Sequence, residues 1–527
     1  MTVDTLHLLE NHRLEIQAAL DAGKSKVERN QLGQFATPSP LATAMLEHAK
    51  RLLSVNQPVR FLDPALGTGA FYSALLRVFP DDCIASARGY EIDPHYGEPA
   101  QLLWRDRRAD IVVDDFTQVA APEHETDKYN LMICNPPYVR HHHLGAEDKK
   151  RLQAQAARSA HAQVSGLAGL YVYFMCLAHA WLQTDGIAGW LIPSEFMDVN
   201  YGSALRHYLT SEVTLVDIHR FEPEEVQFDD ALVSSVVVWF RKQKPQADHA
   251  VRFSLGGNLD NPHLAQDVSL TALRDESKWT RFPKQGVRAS SRTELRFRDL
   301  FDIKRGIATG ANDFFILDAE QVRQHALPAE FLTPILPSPR YLDEDEVSAD
   351  KNGDPLLKHR LFLLDCDLSE TIVETLYPTL WAYLQLGIAR GVHTGYLCQH
   401  RAVWYAQDKR APAPFLCTYM GRLSNSHAEN PFRFILNHSR AVAPNVYLNL
   451  YPKAPLARTI TEQPDLKHTI WRSLQHIPVE RLIGEGRVYG GGLYKLEPKE
   501  LGNLPIEAVF DHIDFEFLML PRQAALF

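Results

Sequence analysis

The sequence predicts an α/β protein in which a mainly parallel sheet, with helices on both faces, is followed by a mixed α/β region. Two observations support this. Between residues 59 and 240, short apolar runs of strand length alternate with segments of helical periodicity, which is typical of a parallel sheet. Beyond about residue 290, short aromatic and β-branched runs are separated by Pro and Gly instead.

The predicted elements follow in chain order. Residues 1–32 form an N-terminal helical segment, because apolar residues recur at helical spacing between 5 and 30. Pro40 suits the first turn of a second amphipathic helix at 39–53. Later helices are expected at 70–78 and 167–183, and strands at 59–62, 84–90, 111–113, 129–134, 187–192, 215–219 and 234–240.

Composition and charge are those of a globular protein. The chain has 527 residues, of which 45% are apolar and 23% charged, so a disordered or collagen-like chain is excluded. The net charge of −10 by itself argues against a nucleic-acid partner. The charge is uneven, however: residues 1–250 hold 23 basic and 32 acidic residues, whereas 281–305 hold 8 and 3. Such basic runs are usually solvated faces, but they also suit a nucleic-acid interface.

No feature of the sequence indicates secretion, membrane insertion or a metal. The six cysteines are scattered without a Cys-x-x-Cys pair, as in reduced cytosolic proteins. The first residues lack a signal-peptide pattern, and no apolar run approaches the ~20 residues that span a bilayer. The histidines at 141–143 have no accompanying ligand set, so we expect no metal site. A soluble, cytoplasmic protein is expected.

Three motifs at predicted strand ends suit a nucleotide-like ligand. The first strand runs into a small-residue turn with Gly67 and Gly69, which lets a ligand approach the backbone closely, although such turns often serve packing alone. Glu91 ends the next strand, where a carboxylate suits a ribose diol, although a helix-capping role is equally open. Asp115 and Phe116 follow the third strand and could read a purine amino group and stack on its ring.

The fourth strand end carries the most specific motif, Asn135-Pro136-Pro137-Tyr138. The two prolines stiffen the turn and remove two N–H donors. The carbonyl oxygens of the Asn135 side chain and the Pro136 main chain can then accept both hydrogens of one planar amino group. Tyr138 offers a flat face on which a base can stack.

In this order, the motifs resemble those of S-adenosyl-L-methionine-dependent amino-methyltransferases. Residues 34–38 (QFATP), upstream of the glycine turn, are similar to the additional cofactor motif of that family, and a large C-terminal region follows. The arrangement resembles the gamma group of DNA adenine-N6 methyltransferases, the TaqI-like enzymes of type II restriction–modification systems, over about 35–240. The resemblance implies a Rossmann-like methyltransferase sheet, no metal, and a cofactor site formed by Thr37, Pro38, Asp63, Pro64, Ala65, Gly67, Gly69, Glu91, Ile92, Asp115, Phe116 and Asn135.

The resemblance also assigns roles. The methionine end of the cofactor lies against Thr37 and the glycine turn, Glu91 binds the ribose hydroxyls, and Asp115 binds the adenine amino group, with Phe116 and Ile92 against its ring. The target adenine leaves the duplex at a cost of about a few kcal/mol and stacks on Tyr138. The catalytic set is Asn135, Pro136, Pro137, Tyr138 and Phe228, the last closing the opposite side of the base.

The C-terminal half carries weaker resemblances. Residues 301–315 and 484–504 are similar to the opening and closing segments of target-recognition domains in this group. We therefore expect an N-terminal helical segment at 1–32, a catalytic domain at 33–245 and a DNA-binding target-recognition domain at 246–527. The resemblance implies a prokaryotic enzyme, a monomer, that methylates adenine in a short palindromic site of double-stranded DNA. A cognate restriction endonuclease would share the site but need not bind the enzyme.

Two alternatives remain open at this point. The same motif suits RNA adenine or the amide of a protein glutamine, because each presents a planar amino group. A DNA-binding specificity subunit without catalysis would also carry a large C-terminal region, although the intact catalytic motif argues against it.

Overall fold

The computed structural model describes residues 3–54, 57–222, 225, 227–228, 234–283, 295–422, 430–489 and 492–506. The chain divides into two compact units. The first comprises Met1–Ala289 with Tyr489–Gly492, and the second comprises Ser290–Val488 with Leu493–Phe527. Among the described helices, none combines the length and apolar character that crossing a bilayer requires.

Helices and strands alternate along the first unit, as the sequence predicts. Its helices are α1 (Val3–Ala22), α2 (Lys26–Leu32), α3 (Ser39–Leu52), α4 (Ala70–Val78), α5 (Pro94–Trp104), α6 (Ala146–Ala160), α7 (Leu170–Ala178), α8 (Ser203–Ser211) and α9 (Leu270–Asp275). Its strands are β1 (Val59–Asp63), β2 (Ile84–Glu91), β3 (Ala109–Val113), β4 (Tyr129–Cys134), β5 (Leu182–Pro193), β6 (Thr214–Arg220), β7 (Ser235–Arg241), β8 (Ala250–Gly257) and β9 (Pro262–Ser269).

The nine strands form one sheet in the order β3-β2-β1-β4-β5-β7-β6-β8-β9. The strands β1 to β5 are parallel to their neighbours among them, whereas β7 runs antiparallel to both β5 and β6. The order reverses between β1 and β4, which is where open α/β sheets bind ligands. The predicted α/β class with a Rossmann-like sheet is confirmed.

Alternate residues of the central strands enter two separate cores, one on each face of the sheet. Met132 and Trp190 pack with α6, α7 and α8, whereas Leu131 and Leu191 pack with α3 and α4. This two-sided burial explains why the central strands are continuously apolar rather than alternating.

Three predictions about the elements need revision. Residues 5–30 form two helices, because Ser25 caps α2 with a reciprocal Ser25–Glu28 hydrogen-bond pair. The helix predicted at 167–183 ends at Ala178, and β5 already begins at Leu182. The sheet also continues past residue 245, because β8 pairs in parallel with β6 and β9 extends the edge. The expected domain boundary therefore falls between two strands of one sheet.

The second unit is a mixed α/β structure. Its main sheet has the order β10-β18-β15-β17-β13, and two three-stranded sheets have the orders β11-β14-β12 and β16-β20-β19. Its strands are β10 (Phe301–Arg305), β11 (Ile316–Asp318), β12 (Leu332–Ile335), β13 (Glu346–Val347), β14 (Leu361–Leu364), β15 (Phe415–Thr418), β16 (Met420–Arg422), β17 (Phe434–Asn437), β18 (Tyr447–Pro452), β19 (Arg487–Tyr489) and β20 (Leu493–Lys495).

Short helices accompany these sheets: α10 (Phe297–Leu300), α11 (Asn312–Phe315), α12 (Ala319–Gln324), α13 (Glu370–Leu376), α14 (Pro378–Ala389), α15 (Tyr396–Gln399), α16 (Ala454–Glu462), α17 (Leu466–Gln475), α18 (Val479–Glu485) and α19 (Pro498–Leu501). Parts of two sequence features lie outside the described residues. These are residues 284–294 of the basic stretch at 281–305, and residues 490–491 of the motif at 484–504.

Candidate active site

A cavity of about 700 Å³ lies in the first unit, at the carboxyl ends of β1 to β4. Its wall is formed by the residues that follow these four strands, together with the N-terminal helices and parts of α6 and α7. The predicted site residues that line it are Pro64, Ala65, Gly67, Glu91, Ile92, Asp115, Phe116, Asn135 and Pro137.

The other predicted residues, all within the described part of the first unit, do not line the cavity. Thr37 and Tyr138 contact lining residues directly, as shown below, and Asp63 is completely buried behind the glycine turn. This group comprises Thr37, Pro38, Asp63, Gly69, Pro136, Tyr138 and Phe228.

The two glycines of the turn after β1 serve different purposes. Gly67 has a φ of +57°, and a Cβ added there would meet no atom within 4 Å, so its backbone is open to the cavity. Gly69 has a φ of +91°, and an added Cβ would lie 2.5 Å from Nε1 of Trp104. Gly69 therefore permits close packing against Trp104, and Gly67 permits close approach of a ligand.

The carboxyl groups of Asp63 and Glu91 hold the glycine turn and the residues that follow β2. Asp63 accepts a hydrogen bond from the Ala65 N–H at 3.1 Å, and its complete burial raises its pKa to about 8. Glu91 accepts from the N–H groups of Gly67 and Asp93, each at 2.9 Å. Burial also raises the pKa of Glu91. A carboxylate has about four lone-pair sites, so Glu91 retains capacity for a hydroxyl-bearing ligand.

The residues after β3 are held by their own turn. Asp115 accepts hydrogen bonds from the N–H and hydroxyl of Thr117 at 2.9 and 2.8 Å, and from the Gln118 amide at 2.8 Å. Phe116 is only 2% exposed and packs in the core against Phe174, with 5.5 Å between ring centroids. Ile92 is 63% exposed at the cavity, so its apolar side chain can contact the ring of a ligand. Phe116, in contrast, is part of the buried wall of the cavity.

Hydrogen bonds fix the side-chain amide of Asn135 through its nitrogen, and its oxygen has no partner among the described residues. Its Nδ2 donates to the Phe35 carbonyl at 3.0 Å and to the Thr37 hydroxyl at 3.1 Å. Its Oδ1 is buried and accepts no hydrogen bond from any residue that the structure describes. Because a buried acceptor without a partner is costly, this oxygen suits a donor that arrives with a ligand.

Phe35, whose carbonyl accepts from Asn135, forms a cluster of three aromatic rings with Tyr138 and Phe228. Tyr138 is T-shaped to Phe228 with 5.8 Å between ring centroids, and Phe35 lies 5.6 Å from each. The Tyr138 hydroxyl donates to the Leu191 carbonyl at 3.0 Å, which anchors the ring to β5. The structure therefore brings the two predicted stacking residues into direct contact with one another.

The N-terminal helices contribute residues that the motifs did not indicate. Gln17, Asp21 and Lys24 line the cavity from α1 and the turn after it. Lys24 forms an ion pair with Asp93, which also accepts from Gln34 at 2.7 Å. Although partial burial opposes ionisation, these hydrogen bonds lower the pKa of Asp93. Polar residues on an amphipathic helix are ordinarily solvent-facing, so the sequence offered no signal for this role.

Comparison with known families yields two matches along this chain. Residues 99–227 match the Eco57I restriction-modification methylase family, and residues 285–519 match the C-terminal domain of type II methyltransferase M.Eco57I. The chain is 30% identical over 488 residues to type II methyltransferase M.XamI of Xanthomonas campestris pv. amaranthicola, covering 90% of this chain and 85% of that protein. It is 24% identical to M.AccI of Acinetobacter calcoaceticus, covering 95% and 89%.

Two solved structures have a similar fold. The type IIL restriction-modification enzyme MmeI, solved in complex with DNA, matches with a TM-score of 0.54 and 14% identity over 83% of this chain. The DrdV–DNA complex matches with a TM-score of 0.52 and 13% identity over 90% of this chain. This chain spans 65% and 56% of those two proteins, respectively.

Proposed function

The chain belongs to the DNA methyltransferases of type II restriction–modification systems, and we propose that it methylates N6 of adenine with S-adenosyl-L-methionine as donor. The substrate in this proposal is a short palindromic site in double-stranded DNA, which the modification protects from a cognate endonuclease. The single observation that carries an amino nitrogen as the methyl acceptor is Oδ1 of Asn135, which is buried and has no hydrogen-bond partner among the described residues. The choice of adenine rests on the resemblance of the motifs and their order.

The cavity fits the methyl donor by its chemistry. Glu91 has acceptor capacity for ribose hydroxyls, and the exposed side chain of Ile92 offers an apolar surface for the adenine ring. The open backbone at Gly67 admits a close ligand. S-adenosyl-L-methionine supplies an electrophilic methyl group on a cationic sulfonium, and the acidic lining of the cavity suits that positive charge.

Asn135 acts on the target amino group in this proposal. Its Nδ2 is occupied by Phe35 and Thr37, so the amide has one orientation available and Oδ1 must be the group that meets the base. Together with the Pro136 carbonyl, Oδ1 accepts both hydrogens of N6, which leaves the nitrogen lone pair directed at the methyl group. Such fixed acceptors need no reorganisation during the reaction. As the bond from N6 to the methyl carbon forms, the carbon–sulfur bond of the donor breaks and S-adenosyl-L-homocysteine leaves. The methylated nitrogen is then positively charged and acidic, so it loses one proton to water and no strong general base is required.

Tyr138 and Phe228 hold the flipped base in this proposal. Their present T-shaped contact leaves no space for a base between them, so the two rings must separate when adenine enters. Tyr138 is anchored through its hydroxyl to β5. We therefore assign the movement to Phe228 and the fixed stacking surface to Tyr138.

The family assignment leaves the modified group to be tested directly. Purified enzyme and labelled donor are incubated in three parallel reactions, with double-stranded DNA, with RNA and with a protein extract. The DNA is then digested and its nucleosides are separated. We expect label only in N6-methyladenine of DNA. Label in RNA, in glutamine or in N4-methylcytosine would overturn the adenine proposal, and no transfer to any substrate would favour a non-catalytic specificity subunit.

A substitution connects this activity to the site. Asn135→Ala should lose most methyl transfer while it binds the donor as the unchanged enzyme does, because the amide supplies one of the two acceptors assigned to N6 and the Pro136 carbonyl alone leaves the amino group poorly oriented. Near-normal turnover of Asn135→Ala would contradict the mechanism. Donor affinity and thermal unfolding of the same preparation show whether the variant is folded.

A further inference from the structure

Side chains of the N-terminal helix α1 form hydrogen bonds with one residue of the glycine turn, Thr68. Arg13 of α1 is 1% exposed, and it donates to the Thr68 hydroxyl at 3.1 Å. That hydroxyl in turn donates to the Gln17 side chain at 2.6 Å, one helical turn further along α1. Gln17 lines the cavity, so a hydrogen-bond chain runs from a buried arginine to the wall of the candidate donor site.

Arg13 is itself held by a buried carboxylate. Its guanidinium donates to both oxygens of Glu10 at 2.9 and 2.7 Å. Glu10 also accepts from the hydroxyls of Ser39 and Ser73, which belong to α3 and α4. A paired arginine presents its donors in a rigid planar fork, so this pair fixes where the third donor points.

The opposite side of the turn is held by different groups. Thr68 O accepts from the Trp104 indole at 2.9 Å, and the Gly67 N–H donates to Glu91. Since Gly67 and Gly69 flank Thr68 and both have positive φ, the backbone here has few intrinsic restraints. The side-chain hydrogen bonds of Thr68 therefore act together with these backbone contacts to orient the peptide that faces the cavity.

We infer that α1 contributes to donor binding, and that Arg13 is a positioning residue. Through its hydrogen bond to Thr68, Arg13 fixes the conformation of the glycine turn. This rests on the proposed function, because it takes S-adenosyl-L-methionine as the ligand of the cavity. Arg13 touches no ligand in this inference. It fixes the turn before the ligand arrives, which lowers the ordering cost of binding.

Thr68→Val isolates this contact, because valine keeps the shape of threonine and leaves the Glu10–Arg13 pair intact. The matched control is Thr210→Val, which removes an equally buried hydroxyl that bonds within α8, away from the cavity. We expect Thr68→Val to weaken donor affinity and raise the donor KM about tenfold, the effect of losing roughly one to two hydrogen bonds. Its kcat at saturating donor and its KM for DNA should stay within about twofold.

The control separates positioning from general destabilisation. Both variants should lower Tm, but Thr210→Val should bind the donor as the unchanged enzyme does. Equal donor affinity in Thr68→Val, Thr210→Val and the unchanged enzyme would overturn the inference. If the unchanged enzyme itself binds no S-adenosyl-L-methionine, the proposed function fails instead. Arg13→Lys provides a second measurement: a lysine keeps the charge but lacks the fork, so donor affinity should again fall while Glu10 stays paired.

Discussion

Nδ2 of Asn135 donates to Oγ1 of Thr37 over 3.1 Å, although 98 residues separate the two. The Thr37 hydroxyl lies in the QFATP segment that precedes α3, and Asn135 follows β4. This contact connects the two motifs physically, because the first one orients the amide on which the proposed chemistry of the second depends.

Thr37→Val should therefore impair the chemical step more than donor binding. Loss of the hydroxyl leaves Asn135 with the Phe35 carbonyl alone, so the amide can rotate and present the wrong group to N6. We expect single-turnover methylation to slow by about tenfold, the equivalent of one hydrogen bond. Thr37→Ser keeps the hydroxyl and should retain the normal rate; equal slowing in both variants would contradict the role of the contact.

Tyr138→Ala should reduce the methylation rate by about tenfold to a hundredfold, because stacking on an aromatic ring contributes roughly 1–3 kcal/mol per base. Tyr138→Phe is the matched control. It keeps the ring, loses only the hydrogen bond to Leu191, and should remain within a few-fold of normal. DNA carrying 2-aminopurine at the target position reports the flipped base directly, and an unchanged signal in Tyr138→Ala would argue against stacking there.

Donor binding should strengthen as pH rises toward 8. Burial raises the pKa of Asp63 to about 8, so the free enzyme holds this carboxyl mainly protonated at pH 7. In the proposed site a cationic ligand favours the ionised form of Asp63, so we expect binding below pH 8 to release a proton. Affinity should then rise by up to about tenfold per pH unit and level off near pH 8.

The Asp63→Asn variant is the reference for this pH profile. It lacks the carboxyl group of Asp63, but its binding still reflects any titration of the ligand itself. The difference between the two profiles isolates Asp63. Calorimetry in two buffers of different ionisation enthalpy measures proton release at pH 7. Identical profiles for the two proteins, with no proton release, would show that Asp63 does not ionise on binding.

The Glu10–Arg13 pair should give the first unit a specific acid sensitivity. Although burial opposes its ionisation, hydrogen bonds from Arg13, Ser39 and Ser73 lower the pKa of Glu10 to about 2. A lowered pKa stabilises the folded state above the unfolded value of about 4.5, and this contribution is lost as pH falls toward 2. It amounts to about 3 kcal/mol.

Urea unfolding of the unchanged enzyme and of Glu10→Gln tests the direction of this pH dependence of stability. The unchanged enzyme should be the more stable at pH 7, and the difference in the free energy of unfolding should narrow below about pH 4.5. Glu28→Gln is a suitable control because Glu28 carries its interactions at the exposed start of α2. A difference for Glu10→Gln that stays constant from pH 7 to pH 3.5 would contradict the assignment.

The motif residues could be identified from the sequence because of one geometric rule. Asp63, Glu91, Asp115 and Asn135 each end or follow a strand of one parallel sheet, and the carboxyl ends of parallel strands share an edge. Local spacing therefore sufficed to bring Glu91, Asp115 and Asn135 to the wall of one cavity, with Asp63 buried behind the glycine turn. The sequence did not show how the Phe116 ring is packed: the residue lines the cavity, but its ring is buried among other aromatic side chains, and a sequence pattern does not reveal which way a ring packs.

The alternation of strands and helices, the order of the motifs and the chemistry available at each strand end can all be read from the amino-acid sequence. How those groups are held can be read only from the folded chain: Phe35 and Thr37 hold Asn135, and Arg13 contacts the glycine turn through Thr68. The tertiary structure also extended the sheet past the expected boundary, through the pairing of β8 with β6. The physical reason is common to all three, because each contact joins residues distant in the chain and depends on packing that local periodicity does not encode.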